Sequence, residues 1–361
     1  GPGPNQLLLS AIEDRSGYRL QLRHDAQGRL QDVVDGAGRT FTFTHDSAGR
    51  VIKLSGPHPE RSGARVVLAQ YGYDARGDLA QVTDALGQVT RYRYVRHLLV
   101  QQTDRSGASF YFKYTGSDAR SRCSHTWADG GLYERKLTYD DARHITTVED
   151  GLGHKTQYQH ERDLLVRTVD ANGGSRTLDY DRQDRKRAQT DALGRVTRYE
   201  HDARGNLTAV TRPDGSRITA SYDQADRMSA VEDGDTRFRF AYDLQGRLTE
   251  SIDAQGGSTR FVYSGRDLVE IVDAGGARFQ LGHDNAGNLT ELREPSGALR
   301  RFQHDHLGRL TKVEDALGNV EQRGYDLLGR LTRVQEPDGN VRELSWDTEG
   351  RLLRIKDAQR D

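Results

Sequence analysis

Gly308-Arg309-Leu310-Thr311-Lys312-Val313-Glu314-Asp315-Ala316-Leu317-Gly318-Asn319-Val320 runs on to Tyr325-Asp326. The phrase then restarts as Leu327-Leu328-Gly329-Arg330-Leu331-Thr332-Arg333-Val334. An aromatic ring, most often followed by Asp, marks the period. It can be followed through His24, His45, Tyr73, Tyr94, Tyr114, Tyr139, His160, Tyr180, His201, Tyr222, Tyr242, Tyr263, His283, His304, Tyr325 and Trp346. Most steps are 20 or 21 residues, with 28 from His45 to Tyr73 and 25 from Tyr114 to Tyr139. A period this regular sets the architecture before any local reading does.

Each period holds two turn signals, here Asp315-Ala316-Leu317-Gly318 and Asp326-Leu327-Leu328-Gly329. An Asp opening such a turn can accept from the backbone two residues on, and a Gly at the fourth position supplies positive φ. That chemistry suits a type I turn with a Gly bulge. Six or seven residues rich in Leu, Val, Thr, Arg and Tyr lie between turns and read as strands. No sustained apolar stripe of helical period occurs. The expectation is all-β: antiparallel hairpin repeats of 20–21 residues, about thirty-two strands, in one large curved or spiralling single-layer sheet. At about 4.8 Å per strand the sheet is on the order of 150 Å wide, so it must twist or curl around a hollow. Leu310 and Val313 are three apart, so both faces look half polar unless a bulge intervenes. Stability is then expected from cross-strand ladders of Tyr, Leu and Val. A propeller of eight blades fits the length, but blades call for a period of about 40–45 residues.

These residues resemble the YD-repeat, or Rhs, family, whose consensus runs Tyr-Asp-x-x-Gly-Arg-Leu-x-x-x-x-Asp-x-x-Gly. Tyr242-Asp243-Leu244-Gln245-Gly246-Arg247-Leu248, followed by Asp253-Ala254-Gln255-Gly256, matches throughout. Tyr325-Asp326-Leu327-Leu328-Gly329-Arg330-Leu331 matches too, and Tyr73-Asp74-Ala75-Arg76-Gly77 keeps the first half. The resemblance implies that Tyr73, Asp74, Gly77, Tyr242, Asp243, Gly246, Arg247, Tyr325, Asp326, Gly329 and Arg330 are structural signature residues. It also implies a stretch of hollow β-shell, as in bacterial polymorphic toxins, toxin-complex components and teneurins. The implied function is structural: a segment of a secreted bacterial protein whose wall sequesters a C-terminal toxin or other passenger polypeptide until delivery. Its implied partners are that passenger and the remaining shell repeats, and it is not expected to be an enzyme. Residues 1–17 read as a tag remnant plus entry segment and 18–361 as the repeat region of about sixteen units, with insertions near 56–67 and 116–131. Gly1-Pro2-Gly3-Pro4 resembles a protease-cleavage scar, and the chain stops mid-unit at Asp361; both suggest a fragment. Leu7, Leu8, Leu9 and Ile12 are expected to form an edge strand or a plug.

Composition narrows the alternatives. Lys+Arg is 53 against 54 Asp+Glu, which gives no electrostatic case for nucleic acid. No apolar run is long enough for membrane insertion, and no signal peptide is visible. Cys123 is the one cysteine, so no intramolecular disulfide can form. The Asp-rich turns predict no cofactor site, and the His-Asp pairs at five marks predict no metal, because Tyr or Trp takes the same position elsewhere. No P-loop, Gly-x-Ser-x-Gly or His-Glu-x-x-His motif is present. The stretch around Tyr111 and Trp127, with Cys123 and His125 nearby, stands out from the repeat. It is a candidate ligand patch for glycans or a cell-surface partner; a Cys-His nucleophile pair there lacks an orienting third group.

Overall fold

In the computed structural model, which describes residues 7–15 and 17–357, thirty-three strands follow one another in a single antiparallel sheet. The described pairings join chain neighbours: Leu299–His304 with Leu310–Glu314, that strand with Val320–Tyr325, and so on through Leu331–Gln335, Val341–Trp346 and Leu352–Asp357. This is a meander rather than a set of four-stranded blades. One 3-10 turn, Asp129–Gly131, is the only helical element among the described residues. The strand Ala11–Glu13 pairs with Arg19–His24 as an edge strand, while Leu7, Leu8, Leu9 and Ile12 stay exposed. The Gly1–Pro4 stretch and the chain end at Asp361 lie outside the described residues.

The turns form as their chemistry predicts. Gly329 N donates to Asp326 O at 3.0 Å, Asp326 N donates to Arg330 O at 3.0 Å, and Gly329 sits at φ +83°. Where Gly is missing, Asp184 and Asp226 take the positive φ themselves. Hairpins lacking an Asp-x-x-Gly turn include the one between Val89–Val95 and Leu98–Thr103, which closes on Arg96-His97 with both φ positive, the geometry of a two-residue hairpin loop.

In most hairpins that carry a mark a bulge intervenes at the mark, although the Tyr139 hairpin pairs without one. Gln303 pairs with Lys312, but His304 pairs with Leu310, so Thr311 is the extra residue. The same shift recurs at Arg23/His24, Gly72/Tyr73, Ala241/Tyr242 and Ser345/Trp346. The slip returns Leu310 and Val313 to one face, opposite His304 and Phe302. One face therefore gathers marks, Leu, Val and Phe, while the other carries residues such as Gln303, Lys312, Gln322 and Arg333. The two faces are unlike, which a reading without bulges does not give.

Among the described residues no helix layer or second sheet packs on this one. Ala128, Ala209, Ala230 and Val334 are the buried hydrophobic residues among those described, and none is large. The accessible surface is 22776 Å², against about 14,500 Å² for a compact monomer of this mass. Packing groups the chain into two units. The first comprises Gly1–Tyr92, Thr103–Gly107 and Arg260–Asp361; the second comprises Arg93–Gln102 and Ala108–Thr259.

The two insertions resolve differently. Near 56–67 the strands Val51–Pro57 and Arg65–Tyr73 lengthen, with Gly56 and Pro59 buried. Within 116–131 the chain makes a wide turn closed by Thr115 N to Arg122 O at 2.8 Å, then an ordinary strand, Cys123–Ala128.

Candidate functional site: the repeat latch and the row seam

Each signature residue has a distinct mechanical task. Asp326 Oδ1 accepts from Leu328 N at 2.9 Å and Arg330 N at 3.0 Å, which caps the turn. Its Oδ2 accepts from Arg330 Nε at 2.7 Å. Arg330 then reaches into the next repeat, where Nη1 donates to Asp347 O at 2.9 Å. The step before is the same: Arg309 Nε bonds Asp305 Oδ2 at 2.5 Å and Nη1 bonds Asp326 O at 2.8 Å. Arg29, Arg185 and Arg227 repeat the forward reach to Asp46, Asp202 and Asp243. A guanidinium can do this because its donors are fixed in a planar fork.

The mark closes the latch from the other side. Tyr325 OH donates to Leu310 O, 15 residues back, at 2.8 Å. Tyr73 OH does so to Val51 O at 2.8 Å, and Tyr242 OH to Met228 O at 2.9 Å. Arginine planes cover the rings: Arg50 over Tyr73 at 4.5 Å, Arg227 over Tyr242 and Arg309 over Tyr325 both at 4.9 Å. The marks Tyr73, Tyr242 and Tyr325 thus act through a bonded ring tip and a stacked cation rather than by stacking on each other. The copy at Tyr73-Asp74 keeps the cap, with Asp74 Oδ1 accepting from Arg76 N and Asp78 N and Gly77 at φ +89°, but Asp78 replaces the Arg. In the full match, Asp243 binds Arg247 Nε at 2.6 Å and Gly246 sits at φ +88°.

The turn carboxylates of Asp25, Asp223, Asp315 and Asp347 are held below the usual carboxylate range. The Arg227 side chain, helped by its backbone N–H, pulls Asp223 down to about 2. The Arg29 backbone N–H lowers Asp25, the Arg351 backbone N–H lowers Asp347, and the Asn319 side chain lowers Asp315. Among the described residues no three His, Cys, Asp or Glu side chains converge as a metal site. At His283 and His304 the Nδ1 atoms are buried without a hydrogen-bond partner.

Tyr111 and Trp127 do come together. They are cross-strand neighbours, with ring centroids 5.4 Å apart and planes 17° from parallel. His125 packs on the same indole at 4.5 Å and Lys113 Nζ lies 5.3 Å over it. Tyr111 OH donates to Asp129 Oδ1 at 2.9 Å, and His125 Nε2 meets Glu134 Oε1 at 2.9 Å. The cluster lies on the face away from the neighbouring mark Tyr114. Cys123 points elsewhere: its Sγ contacts His125 O at 3.7 Å, not the imidazole.

The first unit contains a seam that sequence reading does not reveal. Hairpin turns line two edges of the sheet, the aromatic-Asp turns on one and the intervening turns on the other. Within this unit, intervening turns of the early strands meet aromatic-Asp turns of the late ones. Arg39 Nη1 donates to Leu307 O at 2.5 Å, 268 residues away in sequence, and Arg266 Nη1 donates to Gly36 O at 3.3 Å. His306 N donates to Pro59 O at 2.9 Å, so the first insertion is a seam element. Arg105 bridges Asp84 at 3.2 Å and Glu349 at 3.6 Å. Gln88, its amide turned as hydrogen bonding requires, donates to Thr348 O at 3.1 Å. A polar cleft of about 520 Å³ opens along the seam beside Arg39, Arg61, His58 and His306. Nothing in the repeat pattern says which hairpin faces which, because that depends on how far the sheet has wound.

Known proteins share this pattern. The teneurin YD-shell family model matches residues 216–355, and the RHS repeat model matches 24–58, 73–109 and 180–217. The chain is 29% identical over 170 residues to toxin protein Tse5 of Pseudomonas aeruginosa, covering 42% of this chain and 13% of that protein. It is 27% identical over 152 residues to double-stranded DNA deaminase toxin A of Burkholderia cenocepacia, covering 42% of this chain and 10% of that one. Among solved structures, TcdB2-TccC3 superposes with a TM-score of 0.64 at 14% identity, over 97% of this chain and 27% of its own. At that identity the likeness is one of fold. The chain thus spans about an eighth or less of the curated relatives and about a quarter of the TcdB2-TccC3 chain. The RHS repeat matches begin at the marks His24, Tyr73 and Tyr180, the teneurin YD-shell match takes in most of the later repeats, and both agree with the latch geometry: this chain belongs to the YD-repeat, or Rhs, family.

Proposed function

We propose that this chain is a segment of a wall that encloses a passenger polypeptide in an exported bacterial toxin-type protein, and that it takes no part in chemistry. The observation that carries this reading is a sheet one layer thick among the described residues, latched repeat to repeat, with the rings, Leu and Val gathered on one face. Such a construction encloses volume at low cost in chain, and it offers a non-native polypeptide an apolar side to rest against. The toxin names of the relatives support the passenger's being a toxin and the protein's being exported. The test is limited proteolysis of the full-length protein that contains this chain. The passenger should survive trypsin while the wall is intact and be digested once Arg309→Ala and Tyr325→Ala loosen it. A passenger cut equally fast in both proteins overturns the reading.

A second reading rests on the Tyr111–Trp127 stack, the aromatic cluster on the polar face: a platform for glycans on a target surface. Its indole already shares its surroundings with His125 and Lys113, which leaves less flat surface for a sugar. Glycan-array binding that disappears with Trp127→Ala would support it; a silent array would dismiss it.

A further inference from the structure

The tetrapeptide Asp-Ala-Leu-Gly occurs at three intervening turns, 84–87, 191–194 and 315–318. All three fold alike. The Leu N–H donates to Asp Oδ1 at 2.9 Å and the Gly N–H to Asp O at 3.0 Å in each. Sequence and backbone are therefore constant, and only the surroundings vary. Leu86 lies beside the seam, where Gln88 and Arg105 reach Thr348 and Glu349, and it is 38% exposed. Leu193 is 76% and Leu317 87% exposed. In this comparison the turn beside the seam has about half the leucine exposure of the other two.

A second feature points the same way. Arg39 follows its turn glycine, binds Asp35 Oδ2 through Nε at 2.6 Å, and spends Nη1 on a carbonyl of the facing row. Arg195 stands in the same position after Gly194 and binds Asp191 Oδ2 through Nε at 2.7 Å. Its outer guanidinium nitrogens have no partner among the described residues, and its side chain is largely exposed. The edge at 191–195 therefore presents an uncovered leucine beside a fixed, unspent donor.

We infer that Leu193 with Arg195, and Leu317 on its own edge, are docking positions for the aromatic-Asp turn edge of another row of these repeats, which for the isolated chain is that of a second copy. The fit is both apolar and polar. The seam shows that aromatic-Asp turns offer main-chain carbonyls, at Leu307 and Thr348, to such donors. The free aromatic-Asp edge carries matching apolar surface: Leu244 is 97% exposed, whereas Leu327, at the same turn position in the first unit, is half-buried. The contact is heterologous, edge to opposite edge, so it can add copies without closing. The inference deepens the reading of the chain as a wall segment and rests on it, but it is tested without any passenger.

The experiment is sedimentation velocity of the 361-residue chain over a concentration series. The parent should associate reversibly, and Leu193→Asp combined with Arg195→Ala, or Leu317→Asp alone, should weaken association by roughly tenfold or more. Because these side chains are exposed, the variants should melt like the parent, which separates lost docking from lost folding. Leu86→Asp, at the covered turn, should instead lower the melting temperature. A chain that stays monomeric up to concentrations on the order of 100 μM, or variants that associate as strongly as the parent, would overturn the inference. Either result leaves the protease test of enclosure to stand or fall separately.

Discussion

Trp346 Nε1 donates to Leu331 O at 2.8 Å, the bond that Tyr325 OH makes to Leu310 O one repeat earlier, also at 2.8 Å. Phenol and indole are interchangeable here because the position asks for a flat ring with a donor at its tip, not for a tyrosine. Tyr325→Phe should therefore cost about 0.5–1.5 kcal/mol, the loss of one hydrogen bond. Tyr325→Ala should cost about 3–5 kcal/mol, since the ring beneath Arg309 goes as well. A Tyr325→Phe midpoint equal to the parent's would show that the hydroxyl does nothing, and equal midpoints for the two variants would show that the ring adds nothing to it.

The latch arginine should not tolerate its usual substitute. Arg309 joins its own turn to the next through two nitrogens of one plane. A lysine cannot reproduce that fork. Both Arg309→Lys and Arg309→Ala are expected to destabilise by about 1–3 kcal/mol, with Lys recovering less than half of the difference. Thermal melts of both variants check this; full recovery by lysine would reduce the latch to a charge.

Acid should loosen the wall at low pH only. Asp223 drops from an ordinary 3.8 to about 2 in the fold, chiefly through the Arg227 side chain. A depressed carboxylate stabilises fully above its unfolded value, and that contribution is lost as pH falls through the folded one. The melting temperature should thus be insensitive to Asp223 protonation above about pH 4 and fall between about 4 and 2. Asp25, Asp315 and Asp347, lowered in the same direction, add to the fall. Asp223→Asn should lower the plateau and flatten part of the slope. A midpoint that declines from pH 6 downward would point to groups other than the turn aspartates.

Two turn glycines should respond unequally to a methyl group. Gly329 and Gly308 share a left-handed backbone, φ +83° and +81°. An added Cβ at Gly329 meets open space, so Gly329→Ala should cost only the backbone strain, about 1–2 kcal/mol. At Gly308 the Cβ falls 2.9 Å from Asn288 Oδ1 and 3.4 Å from Arg39 Nη1. Gly308→Ala should therefore destabilise more and release protection at the Arg39–Leu307 contact, measurable by hydrogen exchange. Indistinguishable variants would mean that the seam yields freely.

The hairpin architecture is legible in the sequence because the turn residues act locally: Asp326 and Gly329 need nothing beyond four residues to close their turn. The bulge is half legible. The odd spacing of Leu310 and Val313 leaves a choice between a bulge and two half-polar faces, and it does not say that the mark is where the register slips. The tasks of Tyr325 and Arg330 are present in the motif as residue types and absent from it as geometry, since their partners lie in neighbouring repeats. The seam is illegible, because Arg39 and Arg195 sit in equivalent turns and only the wound sheet decides which of them meets a carbonyl. Tyr111 and Trp127 are named as a patch by their residue types alone; the strand pairing is what brings them together, with His125 and Lys113.

The seam also limits how the repeat can be copied. Where the latch is complete, each unit offers its neighbour the same arginine, carbonyl and ring, so such a hairpin pair could be duplicated or deleted without rewriting those on either side. Across the seam that freedom ends. Losing one unit between Arg105 and Glu349 would slide the late hairpins by a full step and leave each seam side chain opposite the wrong turn. Repeats that are interchangeable in sequence are thus held to a fixed number by the few contacts that count them.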